Sequence, residues 1–297
     1  QSIGPEFLKR INKIINTSLI DLKEDFKIYW ENFPIAKLLP GKDYLKPEIS
    51  LIIDDIIETS DSKKLHVFLE NWIDNKINTV LKSLIDLKNS KNSKSNIRAL
   101  SYQLYENNGV VKREDITNYL NKLNQEERKN LRSIGVKFGR YHIYLYKLLK
   151  PEAVSLRLIL WKNFHQKYFD FKPPKFGLNF LETKENLNKN FMLISGFEKF
   201  DNYYVRIDIL ERLFIQIINS NNENGKDIVL VPEMLNLLGC NKDNFVKLIK
   251  KMNYKSTEKG NKIFFRYSPL RNKNYKNDTN KINKNSPFKI LKELRIK

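Results

Sequence analysis

One order of elements is written twice in this chain, and a repeated order of helix and strand leaves few ways to fold. In the later copy "RIDILERLFIQIIN" sets Ile207, Leu210, Phe214 and Ile217 on one helical face, and "DIVLV" reads as a strand. "PEMLNLL" is a short helix stopped by Gly239, "NKDNFVKLIKKM" a further helix, and "YKSTEKGNKIFFRY" two strands about a turn at Glu258 to Gly260. The earlier copy runs through the helix "IRALSYQLYEN", an extended "GVV" after Asn108 and Gly109, the helices "REDITNYLNKL" and "QEERKNLRSI", and one or two strands in "VKFGRYHIYLY". Helix, strand, helix, helix, strand, turn, strand is a winged-helix order, so the expectation is two winged-helix-like modules.

The rest reads as mostly helical. From Leu65 through Phe68, Leu69, Trp72, Ile73, Ile77, Val80, Leu81, Leu84 and Ile85 an apolar stripe continues over 62–87, the length of a scaffold helix. Ahead of it, Phe7, Leu8, Ile11, Ile14 and Ile15 place a helix over 5–20. "FKIYWENFPIAKLL" alternates about Glu31 and Asn32 as a small hairpin with Phe26, Ile28 and Trp30 on one face, and "KPEISLIIDDII" reopens a helix at Pro47. "NSKNSKSN" at 89–96 is a polar linker, "PEAVSLRLILWKNFHQKY" is a helix begun by Pro151, and 171–200 is an irregular connector. The last 28 residues hold nine Lys or Arg against two acids, and within this basic tail "SPFKILKEL" reads as a short docking helix. The expected fold class is mainly α with small β elements, a helical scaffold plus two winged-helix-like modules. Its expected parts are 1–88 scaffold with hairpin, 97–168 first module and following helix, 169–204 connector, 205–268 second module and 269–297 tail.

Chemistry in the usual sense is hard to find. No phosphate-binding G-x-x-x-x-G-K-[ST] occurs; "LPGKD" at 39–43 lacks the first glycine and the hydroxyl. His66, His142 and His165 stand far apart, and the single Cys240 leaves neither metal-ligand spacing nor an intrachain disulfide framework, which suits a reducing compartment. Cys240 reads as a small buried or half-buried residue with no base beside it, and His66 with Glu70 as a surface pair. The acids Asp54 with Asp55, and Asp208 with Glu211, read as helix faces or as a salt bridge from Asp208 to Arg212. No catalytic residue, metal or cofactor is expected within the chain. No apolar run is long enough to span a bilayer and no leader is written, so the expected compartment is cytoplasmic. The abrupt first residues read as part of something longer.

What remains is binding. With 54 Lys and Arg against 34 acids the formal charge is +20, which points to a polyanion, although 42 lysines against 12 arginines also fit a merely lysine-rich composition. In "NKDNFVKLIKKM" the spacing sends Phe245, Leu248, Ile249 and Met252 inward, so Lys242, Asn244, Lys247, Lys250 and Lys251 turn out, with Lys255, Lys262 and Arg266 of the following strands beside them. Lysines favour phosphate contact over base reading. In "IGVKFGRYHIYLYKLLKP" one strand face carries Tyr141, Ile143 and Leu145 and the other His142, Tyr144 and Tyr146. Lys137 and Arg140 complete a possible strand-binding surface there, though an aromatic strand between helical layers is more often core.

Several segments resemble one family. "LRSIGVKFGRYHIYLYKLLKPEAVSLRLILW", with "IYWENFPIAKLLPGKDYLKPEISLI" before it and "VRIDILERL", "LLGCNKDNFVKLIKKMNY" and "SPFKILKEL" after it, is similar to the region following the motor in alphaproteobacterial DExH-box helicases related to the RNA helicase of the mitochondrial degradosome. The resemblance covers nearly the whole chain. It implies a parent protein that unwinds RNA or DNA with ATP and magnesium, this chain being its C-terminal accessory region, packed against the motor domains and guiding a single strand. The motor motifs are absent here, so neither hydrolysis nor any family residue role carries to a position of this chain. The alternatives are a free-standing winged-helix DNA-binding protein such as a replication initiator, and a purely structural docking segment.

Overall fold

The computed structural model describes residues 14, 19–52, 59–89, 95–167, 169–185, 187–224 and 227–268. The expected helix over 5–20 apart from Ile14, Leu19 and Ile20, the acids Asp54 and Asp55, most of the 89–96 linker and the basic tail lie outside the described residues.

The first sheet is built from β1 (Ile20–Leu22), β2 (Lys27–Trp30), β3 (Phe33–Asp43) and β4 (Lys46–Leu51), antiparallel in that order. The expected hairpin is its middle, with Ile28 and Trp30 buried and Phe26 packed against the core. The helix expected at Pro47 is instead β4, because Leu45 and Ile49 are buried beside β3 while Glu48 and Ser50 point to water, a period of two rather than 3.6. "LPGKD" turns out to be the end of β3. Gly41 is needed there because a Cβ would stand 1.8 Å from the Lys46 carbonyl oxygen.

The scaffold stripe divides into α1 (Thr59–Val80) and α2 (Lys82–Lys88) about Leu81, with Leu65, Leu69, Ile73, Ile77, Leu81, Leu84 and Leu87 all buried. Asp43 joins this layer to the sheet. Its carboxylate accepts from Tyr105 Oη at 2.9 Å and pairs with Lys88, and although burial pushes its pKa up, these donors hold it below the usual carboxylate range.

The next unit comprises α3 (Ser95–Glu106), β5 (Val110–Lys112), a 3₁₀ turn with α4 (Thr117–Leu120), α5 (Gln125–Ile134), β6 (Val136–Phe138) and β7 (His142–Leu145), in a sheet ordered β5-β7-β6. Asn124 and Glu127 cap α5 reciprocally, and Gly135 ends it at φ 109°. All four residues of β7 are buried, so the aromatic strand is core and not a platform for bases. Tyr144 packs with Val110 and Ile207, while Ile143 and Leu145 enter the main core.

Helix α6 (Pro151–His165) lies at the centre and is apolar nearly all round. Ala153, Leu156, Ile159 and Leu160 face the core shared by the first sheet, α1 to α3 and β7. Val154, Leu158 and Trp161 face a second core with α7 (Lys189–Ile194), Phe197 and Tyr204. The expected connector is therefore ordered. It supplies α7 and a sheet β8-β10-β9 from β8 (Phe180–Glu182), β9 (Phe197–Phe200) and β10 (Tyr203–Arg206). The last unit is α8 (Ile207–Asn224), β11 (Ile228–Val229), α9 (Pro232–Leu238), α10 (Lys242–Lys251), β12 (Tyr254–Lys259) and β13 (Lys262–Tyr267), with sheet order β11-β13-β12.

Among the described residues the fold is thus mixed, 49% helix and 26% strand in four small antiparallel sheets, and this overturns the expectation of a mainly α chain with winged-helix modules. The excess strand lies where one partner strand is distant in sequence, as in β8 with β10, or where a proline invited a helix. In addition, the first repeated segment shares one continuous core with the scaffold instead of closing on its own.

Arg157 sets the geometry of this centre. It is fully buried on α6, its Nη1 donating to the Asn108 carbonyl at 2.7 Å and its Nη2 to those of Leu148 and Ile194 at 2.6 and 2.9 Å. Burial pushes its pKa down to about 10, still charged at neutral pH. Three carbonyls at the ends of separate elements thus share one planar cation. Arg157→Leu strands all three, and the expected cost is about 3 kcal/mol, read as a fall of roughly 6–12 °C in the thermal midpoint. Arg157→Lys recovers only part of it, because an ammonium lacks the fork. An unchanged midpoint in Arg157→Leu would contradict the role.

Candidate nucleic-acid interface

Helix α10 forms as its sequence directs. The Asn241 side chain accepts the Asn244 N–H at 2.8 Å, Asp243 sits in the first turn, and Lys250 and Lys251 occupy the last, each end complementing the helix dipole. Phe245, Leu248, Ile249 and Met252 are buried as expected. The outward residues do not form one free face. On one flank Lys242 pairs with Glu258 of β12 at 3.3 Å. On the other, Asn244 donates to Glu182 of β8 at 3.1 Å and Lys251 pairs with Asp201 at 2.7 Å. The ridge between keeps Lys247 and Lys250 exposed, with no acid partner among the described residues.

Strands β12 and β13 carry the denser cationic surface. Their register sets Lys255 opposite Arg266 and Lys259 opposite Lys262, so all four cations share the hairpin face away from the buried Tyr254, Ile263 and Phe265. Arg266 is tied to Asp227 at 2.7 Å, and Lys259 lies 5.6 Å over the Phe264 ring. Like charges directly opposite each other are destabilising in a sheet, which makes two such rungs at the same face notable. Lys259 was missed in the sequence, since only the cross-strand register brings it beside Lys262.

The other two expected residues part company. Lys137 lies on edge strand β6 over the Tyr146 ring at 5.2 Å, away from the hairpin. Arg140, in the β6–β7 turn, instead reaches the place where all three C-terminal units meet, with its guanidinium 5.4 Å from the Phe214 ring of α8.

That turn is built around one carboxylate. Glu211 of α8 accepts the backbone N–H groups of Arg140, Tyr141 and His142, the last two at 2.9 and 2.8 Å. Gly139 precedes them because a Cβ there would stand 2.4 Å from the Glu211 carboxyl carbon. The expected bridge from Asp208 to Arg212 is replaced by a bidentate pair with Arg206, at 2.7 and 3.0 Å. His142 extends the network. Its Nε2 lies 2.8 Å from Glu198 on β9, whose other oxygen holds Lys112 Nζ at 2.8 Å, and its Nδ1 lies 3.6 Å from Glu211, an ionic contact longer than a hydrogen bond. Burial pushes the His142 pKa down, but the two carboxylates outweigh it and hold the imidazole above its ordinary value. Burial likewise pushes Glu198 up, and His142 with Lys112 brings it below the usual range.

Above this network opens a cleft of about 530 Å³, lined in part by Lys112, Arg113, Arg140, Lys251, Phe200 and Tyr267. A second hollow of about 370 Å³ adjoins it and shares Arg140, Tyr141 and Tyr267. Lys112, Arg113 and Tyr267 carried no sequence signal, because Lys112 and Arg113 lie at the end of β5 and Tyr267 at the end of β13, two units that only the fold brings together. Elsewhere, His66 pairs with Glu70 at 3.5 Å on the surface, and burial pushes the Cys240 thiol up to about 11. Among the described residues no cluster of His, Cys, Asp and Glu could hold a metal, and no helix is long and apolar enough to cross a membrane.

The raised His142 pKa contributes stability that is complete below the unfolded value near 6.5 and is lost as pH rises through the higher folded value. The lowered Glu198 pKa contributes above about 4.5 and is lost as pH falls through its folded value. The stability difference between wild type and His142→Asn, from denaturant unfolding, is therefore expected to be largest near pH 6 and to shrink toward pH 9. A difference independent of pH would contradict the charged pairing. Compared with protein-family models, curated proteins and solved structures, the chain matches none.

Proposed function

We propose that this chain is the C-terminal accessory, nucleic-acid-binding region of an ATP-dependent RNA/DNA helicase, guiding a single strand beside motor domains that lie outside this sequence. ATP and magnesium belong to that motor, and the working compartment is the cytoplasm. The helicase assignment rests on the resemblance carried by the motifs at 131–161 and 237–254.

The binding half rests chiefly on the hairpin face of Lys255, Lys259, Lys262 and Arg266. Asp227 meets Arg266, but Lys255 and the directly opposed Lys259 and Lys262 have no acid partner among the described residues, and such a rung costs stability unless an anion sits over it, which a phosphate chain supplies at regular spacing. Lys247 and Lys250 on α10 extend the same chemistry. Lysine ammonium groups are point charges without a fork, so this surface suits backbone contact with little choice of sequence. A sequence-reading duplex binder would instead need side chains aimed at base edges, whereas Lys242, Asn244 and Lys251 of α10 are taken up by Glu258, Glu182 and Asp201.

Replacing Lys255 and Lys262 together by Gln is expected to weaken binding of a labelled single-stranded 12-mer about tenfold in fluorescence anisotropy. Two lost phosphate contacts lower the slope of log affinity against log salt by about 1.4. The thermal midpoint should stay level or rise, since like-charge repulsion is relieved. Unaltered affinity with an unaltered salt slope would contradict the assignment of this face.

A further inference from the structure

We propose that the cleft between the units is a second, arginine-based grip on the single strand, which takes one phosphate between Arg113 and Arg140 and stacks the adjoining base on Tyr267. The inference rests on the single-strand reading above and names where the strand's backbone is held.

Three observations carry it. First, the cleft's cations differ in availability. Lys112 is engaged by Glu198 and Lys251 by Asp201, whereas the guanidinium groups of Arg113 and Arg140 have no carboxylate partner among the described residues. Arg113 spends one Nη1 bond on the Gly139 carbonyl at 2.8 Å, which aims the remainder of its fork, and Arg140 rests against Phe214. Two oriented forks flanking an open cleft match the oxygens of a phosphodiester. Second, both arginines are placed by the same turn, whose backbone Glu211 holds by three N–H bonds, so the grip is preorganised before ligand arrives. Third, Tyr267 is 54% exposed at the rim, and its ring is steadied edge-on by Tyr254 at 5.2 Å. An exposed ring held from one side is a stacking platform that accepts any base. The rim residue serves both hollows, so a strand passing from one to the other crosses Tyr267 and Arg140.

The test uses the full chain, fluorescein-labelled oligo(rU) and oligo(dT) 12-mers, and a 12-base-pair duplex, by anisotropy over a salt series. Wild type is expected to bind both single strands more tightly than the duplex, and the rU and dT arms show whether ribose or deoxyribose is preferred. Arg140→Gln should weaken single-strand binding by about tenfold and lower the salt slope by about 0.7, one phosphate contact. Tyr267→Ala should weaken it several-fold with the salt slope unchanged, and Tyr267→Phe should restore it, since stacking needs the ring and not the hydroxyl. Neither side chain makes an ion pair among the described residues, so both variants are expected to fold, checked by their thermal midpoints. If Lys255→Gln/Lys262→Gln weakens binding while Arg140→Gln and Tyr267→Ala do not, the cleft grip is overturned and the hairpin reading stands. If wild type binds none of the oligonucleotides, both fall, and the cleft becomes a surface for a protein partner.

Discussion

The C-terminal half of this protein is organised around the Glu211 carboxylate. A buried carboxylate in a protein core is costly unless its oxygens are met by donors, and here three consecutive backbone N–H groups meet it. Because those donors belong to the β6–β7 turn and the acceptor to α8, one group fixes the angle between two units. His142 then carries the link to β9 through Glu198, and Glu198 carries it back to β5 through Lys112. Four elements far apart in sequence are thereby held by charges that compensate each other, which is the condition under which buried ionic groups are tolerated. The cleft exists because this network holds its walls apart at a fixed spacing.

Rigidity on the other side comes from α6. Its two apolar faces close two cores at once, and Arg157 draws the carbonyl ends of three elements onto it. An extended, well-packed body of this kind suits a passive guide, since a surface that must present phosphate contacts in register gains from not having to order itself on binding. The cationic hairpin, by contrast, packs on the core of the last unit, with Leu210, Phe245 and Leu248, through one apolar face only, so its charged face is turned outward.

Local patterns were legible and distant pairings were not. The core face of α10, the helix stop at Gly239, the turn near Gly260, and the stripe of α1 and α2 all follow from spacing within one segment. The β4 strand was misread because Pro47 resembles a helix start, whereas the edge of a sheet accepts proline equally well. The β8-β10-β9 sheet was missed because its strands are three or four residues long and β8 pairs with a strand that follows β9. The site divides the same way. Outward lysines of α10 could be named from periodicity, but which of them are neutralised depends on Glu182, Asp201 and Glu258 from other strands. Arg113 and Tyr267 become neighbours only once Glu211 has seated the turn.

The most direct measurement is residue-resolved amide hydrogen exchange in wild type and Glu211→Gln. Removing the charge and one acceptor oxygen should speed exchange of the Arg140, Tyr141 and His142 amides by at least about tenfold while leaving core amides such as those of Leu69 and Ile73 as they were. Equal protection of the turn in both proteins would mean that Glu211 does not hold the units together, and the structural basis offered for the cleft would be lost.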